Sequence, residues 1–587
     1  MRKIYLFLAI LCFLPAVSAS AATNVDILHY DIVLEISPGE HAFHASITMQ
    51  LEALEDTREV VFVLNKELRI DRTVSSGKEL KFERRGDELI VVFGEAIEKA
   101  GEIEIRIDYS GTFEQSSGFQ WGYIGEDVSY MIYESLWYPT IHGDRAPASI
   151  TLRVPKGYST VTSGELVEVR EVNEEEKLEY VWEDSTPAFG ISFVVGRYRT
   201  KVADYYIDDA EEKPVPVDSK SIVVGASGIA YPKHTRGKVI RISCYLTEED
   251  FYFADECIRA SKKILEFYIS RFKGYPYDKF AVVEMPESFF GGHGDQGFIM
   301  LQANVFKRQS LEFLAHEIAH NWWGALVAAE GGYNLLPFYG IKVSSSSTPS
   351  KNLWLNEGFA TYSAMMFLEA EYGRDKMLES LKEKRREYLQ VEADTPIAEM
   401  EIDYGSPDYH AILYSKGAFV LHMLRYVVGE EAFNGIIDVY IQDYGGRSAT
   451  LEDFQRTSED VYGELDWFFN EWIRDTAIPD YAVDGASVTP CSSGYCTRVS
   501  ISQRGDLVKM PLDVTLRTSK GELTKRIWMD GFTKEVEFTS HSNPVAVELD
   551  KEYWLLESDR TNNIQVIKPF SIGGLKAVLD SLLLRFD

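Results

Sequence analysis

The chain has 587 residues, of which 45% are hydrophobic and 13% aromatic, and this composition excludes a globally disordered protein. At roughly 150 residues per domain, the length predicts three or four domains. The formal net charge of −32 disfavours nucleic acid as a partner, because binding to phosphates requires clustered positive charge.

The first residues have the pattern of a secretory signal peptide. Arg2 and Lys3 supply positive charge, residues 4–16 are almost wholly apolar, and residues 19–21 (Ala-Ser-Ala) have the small-x-small form of a cleavage site. The apolar run is short for a membrane span. We therefore expect residues 1–21 to be removed and the protein to be extracellular, periplasmic or on the outer face of a membrane. An uncleaved anchor, with membrane contact, is the alternative.

The next part of the chain predicts a large β domain. Apolar and polar residues alternate from Asp26 to about Arg199, in segments such as HYDIVLEI, HASITMQLEAL and EIEIRIDY that Gly, Pro or charged turns separate. Residues 203–238 are polar and contain DDAEEKPVPVDSK, which predicts a loop or linker.

From Glu248 the hydrophobic spacing changes to that of helices. The segment EEDFYFADECIRASKKILEFYISRF predicts a helix that ends before Gly274, FAVVEM predicts a strand, and further helices follow to about Arg474. Strands return from Val488 to Leu556. Residues 572–586 have the spacing of one amphipathic helix.

Four of the five cysteines lie beyond the predicted signal peptide. Cys491 and Cys496 flank Ser-Ser-Gly-Tyr, a turn-like tetrapeptide that lets the two sulfurs meet, and Cys244 and Cys257 are the remaining pair. An even number of cysteines in an exported chain favours disulfides. A zinc site made of the four thiolates is disfavoured, because the spacings do not resemble two Cys-x-x-Cys pairs.

The most informative stretch is His-Glu-Ile-Ala-His over residues 316–320, inside an apolar helical run. At about 100° per residue, His316 and His320 lie one turn apart on the same helix face and can bind one cation. Neutral imidazoles suit Zn²⁺, and we expect one ion per chain. Glu317 follows the first ligand and can take a proton from water that the metal has made more acidic.

The stretch HEIAHNWWG, followed by LWLNEGFATY, resembles the aminopeptidase N family of zinc metallopeptidases. In this gluzincin family the third zinc ligand is a glutamate on a following helix, so the resemblance implies that Glu357 is that ligand. ILYSKGAFVLHML resembles a third family motif, Tyr-x-Lys-Gly. It implies that the hydroxyl of Tyr414 stabilises the oxyanion of a tetrahedral intermediate.

The resemblance extends from about Asp26 to Asn563 and implies a multidomain α+β fold. We expect an N-terminal β saddle, a thermolysin-like and mainly helical catalytic domain, and a small C-terminal β-sandwich. The chain is expected to be a short form without the family's C-terminal helical-repeat domain. The expected divisions are 1–21 (signal peptide), 22–202 (β domain), 203–483 (catalytic domain, with 203–238 as linker), 484–563 (β-sandwich) and 564–587 (tail).

The chain departs from the family pattern between the ligands. Thirty-six residues separate His320 from Glu357, where the family usually has eighteen. The additional segment, within 331–351, is rich in Gly, Ser and Pro and predicts a loop between the two ligand helices. It leaves the ligands themselves in place.

A second departure concerns recognition of the substrate. The family has Gly-x-Met-Glu-Asn before the zinc helix, and that Glu binds the substrate's α-amine. Here Gly294 stands at the position of the Glu. Asp295 comes one position later, on the opposite face of a strand, and can replace the Glu only if a bulge forms. Glu134, in MIYESLWYP, is a second candidate for the amine anchor.

The glycines of this segment are candidates for a different contact. Gly291, Gly292 and Gly294 leave backbone groups free to pair with an extended peptide, as in β-augmentation.

Together these patterns predict a zinc-dependent aminopeptidase that removes N-terminal residues from peptides. One alternative is an endopeptidase, or a peptidase for blocked peptides, because the amine-binding motif is altered. The other is a non-catalytic protein that binds peptides or proteins on a peptidase scaffold. The sequence leaves open the preferred first residue and the oligomeric state.

Overall fold

The computed structural model describes residues 24–113, 121–141, 143–172, 176–207, 222–224, 230–232, 239–308, 310–331, 351–391, 394–400 and 406–567. The predicted signal peptide (1–21), almost all of the predicted loop within 331–351 and the predicted helix over 572–586 lie outside the described residues. No helix among the described residues combines the length and apolar character that a membrane span requires.

The N-terminal region consists of strands, as the alternating pattern predicts. On strand β1, Ile32, Leu34 and Ile36 are buried while Val33 and Glu35 between them are half-buried. The strands are β1 (Val25–Ser37), β2 (Ala42–Ala53), β3 (Thr57–Val63), β4 (Arg69–Ser75), β5 (Lys78–Glu79), β6 (Lys81–Arg85), β7 (Glu88–Ile97), β8 (Glu102–Thr112), β9 (Gly122–Ile124), β10 (Val128–Met131), β11 (Ala146–Pro155), β12 (Ser159–Thr162), β13 (Glu165–Glu171), β14 (Lys177–Ala188) and β15 (Phe193–Gly196).

These strands form three sheets. The largest has the order β13-β14-β11-β1-β2-β8-β4-β5, and β1 and β11 run parallel within it. A three-stranded sheet has the order β3-β7-β6, and a four-stranded sheet the order β12-β15-β10-β9. One apolar core joins them, in which Trp137 and Trp182 are buried. Alternation along each strand produces this core, because one face of each sheet must be covered.

The central region contains a five-stranded sheet with the order β16-β19-β20-β22-β21. The strands of the region are β16 (Arg199–Tyr206), β17 (Ile222–Val224), β18 (Ala230–Pro232), β19 (Val239–Leu246), β20 (Lys279–Met285), β21 (Gly292–Asp295), β22 (Phe298–Gln302), β23 (Val327–Ala329) and β24 (Arg447–Ala449). The predicted linker 203–238 is therefore wrong at its start, because residues 203–206 pair with β19. β17 and β18 pair with each other inside it, and its other residues beyond 207 lie outside the described residues.

Helices pack beside this sheet. They are α1 (Ala254–Arg271), α2 (Ala303–Arg308), α3 (Leu311–Ala319), α4 (Trp354–Tyr372), α5 (Arg374–Tyr388), α6 (Pro407–His410), α7 (Gly417–Val428), α8 (Glu430–Tyr444), α9 (Leu451–Tyr462) and α10 (Asp466–Ile473). A π-helical segment over Ala411–Lys416 connects α6 to α7. The side chain of Ser310 caps α3 by accepting from the backbone N–H of Phe313.

Strands return at Tyr481, earlier than predicted. They are β25 (Tyr481–Cys491), β26 (Gly494–Gln503), β27 (Met510–Thr518), β28 (Gly521–Met529), β29 (Thr533–Ser540), β30 (Pro544–Leu549) and β31 (Ile564–Val566). They form two sheets, with the orders β25-β26-β29 and β28-β27-β30-β31. Both sheets share one core with the helices, so the C-terminal region is packed on the central region. The predicted fold class, with an N-terminal β region, a helical region and C-terminal strands, is confirmed.

Both predicted disulfides are present. Cys244 on β19 is bonded to Cys257 on α1, with a Cα–Cα distance of 6.5 Å. Cys491 and Cys496 are bonded across the β25–β26 hairpin, with a Cα–Cα distance of 5.8 Å. The first bond ties the five-stranded sheet to its first helix.

The N-terminal region packs directly against the central sheet. Val161 and Val194 from the four-stranded sheet share a buried cluster with Val283 and Met300 from β20 and β22. The guanidinium of Arg145 donates to the backbone carbonyls of Ala325 and Arg447, at 3.0 and 3.3 Å. These contacts join the N-terminal and central regions.

Candidate active site

Three side chains from α3 and α4 converge at one point. His316 lies in the last turn of α3, His320 caps the C-terminus of this helix, and Glu357 lies in the first turn of α4. The two Nε2 atoms are 3.2 Å apart, and Oε2 of Glu357 is 3.5 Å from that of His316 and 3.4 Å from that of His320. The structure therefore brings the three predicted ligands together, although thirty-six residues separate the second from the third.

The triangle has the size of one face of a tetrahedral zinc site. Ligand distances of about 2.0–2.1 Å in a tetrahedron place the ligand atoms about 3.3 Å from one another. The buried Oε2 of Glu357 has no hydrogen-bond partner among the described residues, as expected of an atom that binds a cation. Two imidazoles and one carboxylate are a donor set that suits Zn²⁺ and leave the fourth position open. The described residues thus fit a catalytic zinc ion.

Hydrogen bonds to the other ring nitrogens orient both imidazoles. Nδ1 of His320 lies 2.9 Å from the carbonyl oxygen of Trp323, and Nδ1 of His316 lies 3.3 Å from the hydroxyl of Thr361. The carbonyl requires the proton of His320 on Nδ1, which leaves the lone pair of Nε2 for the metal. Thr361 follows Glu357 by one turn of α4, so the same helix supplies a ligand and a partner of another ligand.

The charges of His316, His320 and Glu357 favour the binding of a cation between them. Burial lowers the pKa of His316 to about 4 and thus favours its neutral form. For His320, Glu357 outweighs burial and raises the pKa to about 9. The carboxylate of Glu357 therefore requires a positive charge beside it, and a bound metal ion supplies that charge while it displaces the proton.

Glu317 lies beside the ligands and is covered by strand β21. It is 5% exposed, and burial raises its pKa to about 7, a value suited to accepting and releasing a proton near neutral pH. A Cβ atom added at Gly292 would lie 2.3 Å from Oε1 of Glu317, and one added at Gly294 would lie 2.4 Å from Cβ of His320. Glycine is therefore required at both positions for β21 to approach α3 so closely.

Tyr414 lies across the cleft, in the π-helical segment. Its ring is parallel to that of His316, with centroids 5.7 Å apart, and His410 stacks on its other face at 4.3 Å. Gly358 and Gly417 permit this arrangement, because a Cβ at Gly358 would meet the Cα of Gly417 at 3.1 Å. The glycines of the second and third motifs thus bring α4 and α7 into contact.

The site lies in a cleft of about 630 Å³. Aromatic side chains form part of its wall, and acidic and basic groups form the rest. Its lining residues are Trp121, Glu134, Phe290, Gly292, His293, Gly294, Ser310, Glu312, Phe313, His316, Glu317, His320, Glu357, Thr361, Ala364, Glu383, Lys384, His410 and Tyr414.

The predicted substrate-binding residues have different outcomes. Glu134 lies in the 3-10 turn Tyr133–Ser135, lines the cleft and is 2% exposed. Gly292 and Gly294 also line the cleft, on β21, which is the edge strand of its sheet. Gly291 precedes the strand, has a φ of +112° and is not among the residues that line the cleft.

Asp295 does not occupy the position that a direct amine anchor requires. β21 and β22 pair in regular antiparallel register, with Gly294 opposite Ile299 and Asp295 opposite Phe298, so no bulge turns the Asp295 side chain into the cleft. A Cβ at Gly294 would collide with α3, so a longer side chain there does not fit either. Glu134 is the one predicted anchor whose side chain lines the cleft among the described residues.

Sequence reasoning missed several residues of the cleft. Trp121 and Phe290 form one wall, with ring centroids 5.5 Å apart. His293 also lines the cleft, and its charge interacts with those of Glu134 and Glu317; a role for it beside Glu134 was not predicted. Thr361 was predictable in principle, because it lies four residues after Glu357 and therefore on the same helix face.

Comparisons with known proteins agree with this geometry. Residues 348–472 match the peptidase family M1 domain, a range that contains Glu357 and Tyr414. Probable aminopeptidase 1 of Sulfurisphaera tokodaii is 23% identical over 498 residues, which is 78% of this chain and 54% of that protein. The tricorn protease-interacting factor F2 of Thermoplasma acidophilum is 26% identical over 290 residues, 45% of this chain and 34% of that protein. The chain thus spans about half the length of the first of these relatives.

Solved structures show the same fold. Aminopeptidase A of Legionella pneumophila, in complex with aspartic acid, superposes with a TM-score of 0.69 at 18% identity, over 91% of this chain and 59% of that chain. A variant of the M1 zinc metallopeptidase of Deinococcus radiodurans, bound to a Tyr-Ser-Ala substrate, gives 0.57 at 19% identity, over 77% and 94%. The predicted resemblance to the aminopeptidase N family is confirmed.

Proposed function

We propose that this chain, which carries a peptidase family M1 domain, is a zinc-dependent aminopeptidase. The observation that carries the proposal is the triangle of His316, His320 and Glu357, with sides of 3.2–3.5 Å, in a cleft that also contains Glu317 and Tyr414. The aminopeptidase relatives and the M1 structures support the same activity.

The roles of the side chains follow from their places around the triangle. Zinc, when bound by His316, His320 and Glu357, supplies a Lewis acid that polarises a peptide carbonyl and makes water more acidic. Glu317 takes a proton from the attacking water and delivers it to the departing amine, as its pKa near 7 permits. The hydroxyl of Tyr414 donates a hydrogen bond to the carbonyl oxygen as negative charge develops on it.

Substrate recognition combines the edge of β21 with Glu134. The edge strand presents backbone at Gly292 and Gly294 along the cleft, where an extended peptide can pair with it. The buried Oε2 of Glu134 has no hydrogen-bond partner among the described residues, so it can accept from the N-terminal ammonium of a peptide. A free first residue is then required for tight binding.

Matched peptides test this requirement. The zinc-loaded protein is incubated with a mixture of peptides that carry either a free or an acetylated N-terminus, and the products are identified by mass spectrometry. We expect loss of single N-terminal residues from the free peptides and little cleavage of the acetylated ones. Cleavage of both forms at equal rates would contradict the amine anchor.

The same experiment tests an alternative for which the structure gives a specific reason. Gly294 provides no carboxylate and Asp295 does not line the cleft, so the described residues contain a single anchor in place of a pair. Internal cleavage of acetylated peptides would establish an endopeptidase, or a peptidase for blocked peptides. A protein with one equivalent of zinc and no cleavage of any peptide would instead establish a binding protein on a peptidase scaffold.

Export is part of the proposal and rests on two observations. The N-terminal residues have the composition of a signal peptide, and the two disulfides are typical of proteins in oxidising compartments. Mass determination of the mature N-terminus tests it. A chain that begins after Ala21 is expected, and a chain that retains Arg2 and Lys3 would contradict cleavage.

A further inference from the structure

The wall of the cleft next to Glu317 contains a cluster of three buried titratable side chains. They are Glu134, His293 and Asp295, and the first two line the cleft. Nε2 of His293 lies 3.8 Å from Oδ2 of Asp295, and both atoms, like Oε2 of Glu134, are buried without a hydrogen-bond partner among the described residues. Three unsatisfied polar atoms in one wall are costly unless a ligand or their mutual charge compensates them.

Asp295 of this cluster also interacts with a second group of buried charges. Gln296 donates to both carboxylate oxygens of Asp184, at 3.1 and 3.0 Å, and to the carbonyl of Thr186. The ammonium of Lys279 donates to the carbonyl of Thr162 at 2.7 Å, and its charge acts on Asp184 and Asp295. Hydrogen bonds from the central region to Asp184, Thr186 and Thr162 therefore join the N-terminal region to the strand that contains His293 and Asp295.

The charge balance of the two groups, taken as one set, leaves one negative charge. Its acids are Glu134, Asp184 and Asp295, all buried, and its cations are Lys279 and His293. Of the three acids, only Glu134 lines the cleft. When every group of this set is ionised, its net charge is −1, and Glu134 is the one carboxylate of the set that lines the cleft, so an ammonium group bound there compensates the charge.

We propose that His293 is a positioning residue whose positive charge holds Glu134 as the carboxylate that binds the substrate's N-terminal ammonium. This inference rests on the proposed function, because it assumes that Glu134 is the amine anchor.

Electrostatics around the two side chains supports the proposal. The titratable groups that face Glu134 are His293, Asp295 and the hydroxyl of Tyr133, and those that face His293 are Glu134, Asp295 and Glu317. Burial raises the pKa of Glu134 to about 7 even though His293 lowers it. Although burial opposes it, the neighbouring carboxylates raise the pKa of His293 above its usual value. The two groups thus keep each other charged near neutral pH.

Removal of the imidazole charge has a defined consequence. Without His293, the pKa of Glu134 rises further above 7, because burial then acts with the repulsion from Asp295 and without a cation. If the pKa rises by one, the ionised share of the carboxylate at pH 7 falls from about one half to about one tenth, so KM for a free peptide is expected to rise about fivefold. Because the charge of His293 also acts on Glu317, kcat is recorded separately, and the ratio of KM values is the readout for Glu134.

The experiment uses the zinc-loaded full chain and the variant His293→Gln. KM and kcat for a free-amine substrate are measured between pH 6 and 9, and the ratio of the variant's KM to that of the wild type is taken at each pH. The ratio cancels the titration of the substrate's own amine. We expect a ratio of about five at pH 7 that approaches one at pH 9, as Glu134 ionises in the variant.

Two comparisons separate a positioning role from a structural one. In the background Glu134→Gln, the change His293→Gln is expected to add nothing to KM, because its effect passes through the carboxylate. His541→Gln, at an exposed histidine of the C-terminal region, is the matched control and leaves KM unchanged. Zinc content and the unfolding temperature are measured for each protein, and His293→Asn replaces the glutamine variant if the latter unfolds.

The possible failures are distinguishable. If the wild type cleaves free and acetylated peptides equally, the proposed amine anchor is wrong. If the wild type requires the free amine but the KM ratio stays near one at pH 7, or is the same at pH 7 and 9, the assigned role of His293 is wrong.

Discussion

Two parts of the same cleft are built in different ways. The metal triangle uses two residues one helical turn apart on α3 and a third in the first turn of α4. The second part, here called the anchor cluster, consists of Glu134 from the N-terminal region and of His293 and Asp295 from the edge strand β21. Helix geometry fixes the two histidines of the first site, and packing of α4 on α3 within one region adds Glu357. The second site exists only because two regions of the chain pack against each other.

The two sites are expected to respond differently to substitutions. Zinc selects its own geometry, since ligand atoms about 3.3 Å apart complete a tetrahedron with little further help. The anchor has no metal to organise it, and its charge state depends on burial and on its neighbours His293 and Asp295. We therefore expect changes at the triangle to remove activity outright and changes in the cluster to alter substrate binding and stability.

The largest expected effect is that of Glu317→Gln. The amide keeps the shape of the side chain but cannot accept the proton of the attacking water, so kcat is expected to fall about 10²- to 10⁴-fold. Zinc content, measured by atomic emission, is expected to stay at one ion per chain, since Glu317 is not a ligand. Glu266→Gln, at an exposed position on α1, serves as the control. Full activity of a zinc-loaded Glu317→Gln protein would refute the assigned base.

The second-largest effect is expected on the stability of the protein when Lys279, near the anchor cluster, is replaced. Lys279→Met removes the ammonium between Asp184 and Asp295 and leaves two buried acids without it. The free energy of unfolding is expected to fall by about 3 kcal/mol, because two buried acids lose a nearby positive charge and the carbonyl of Thr162 loses its donor. Urea denaturation measures it, with Lys520→Met, at an exposed position in the turn between β27 and β28, as the control that changes it by less than about 0.5 kcal/mol.

Loss of the anchor carboxylate is expected to affect binding more than turnover. Glu134→Gln replaces a charged acceptor by a neutral one, which costs about 1.5–3 kcal/mol for a hydrogen bond to an ammonium, or roughly a 10- to 100-fold rise in KM. Steady-state kinetics on free and acetylated forms of one peptide measure the change. A drop in kcat at constant KM would instead assign Glu134 to the chemical step.

The smallest expected effect returns to the triangle. Thr361→Val removes the hydroxyl 3.3 Å from Nδ1 of His316 while its methyl groups keep the volume. Zinc affinity is expected to fall about tenfold, the lower end of the effects seen when a metal ligand loses its hydrogen-bond partner. Competition with a chelator measures it. The control is Ser363→Ala, which removes another hydroxyl of α4, the one that accepts from the indole N–H of Trp323. This variant is expected to leave zinc affinity unchanged.

The sequence-based predictions were more accurate for the metal triangle than for the anchor cluster. The two histidines, Glu317 and both disulfides were predictable because each depends on residues close in the chain or on a motif. The structure places only His316 within α3, which ends at Ala319, and His320 is the C-cap of this helix. Asp295 was a candidate anchor by its chemistry, but the regular pairing of β21 and β22 keeps it out of the cleft.

The amino-acid sequence by itself determined the metal chemistry, because an i, i+4 pair of histidines and the acid beside it are properties of one helix turn. It also determined the alternation that builds the N-terminal sheets. Only the tertiary structure decided which acid faces the substrate and which histidine stands beside it. Those residues lie far apart in the chain, and their charges interact only after packing has removed water from between them.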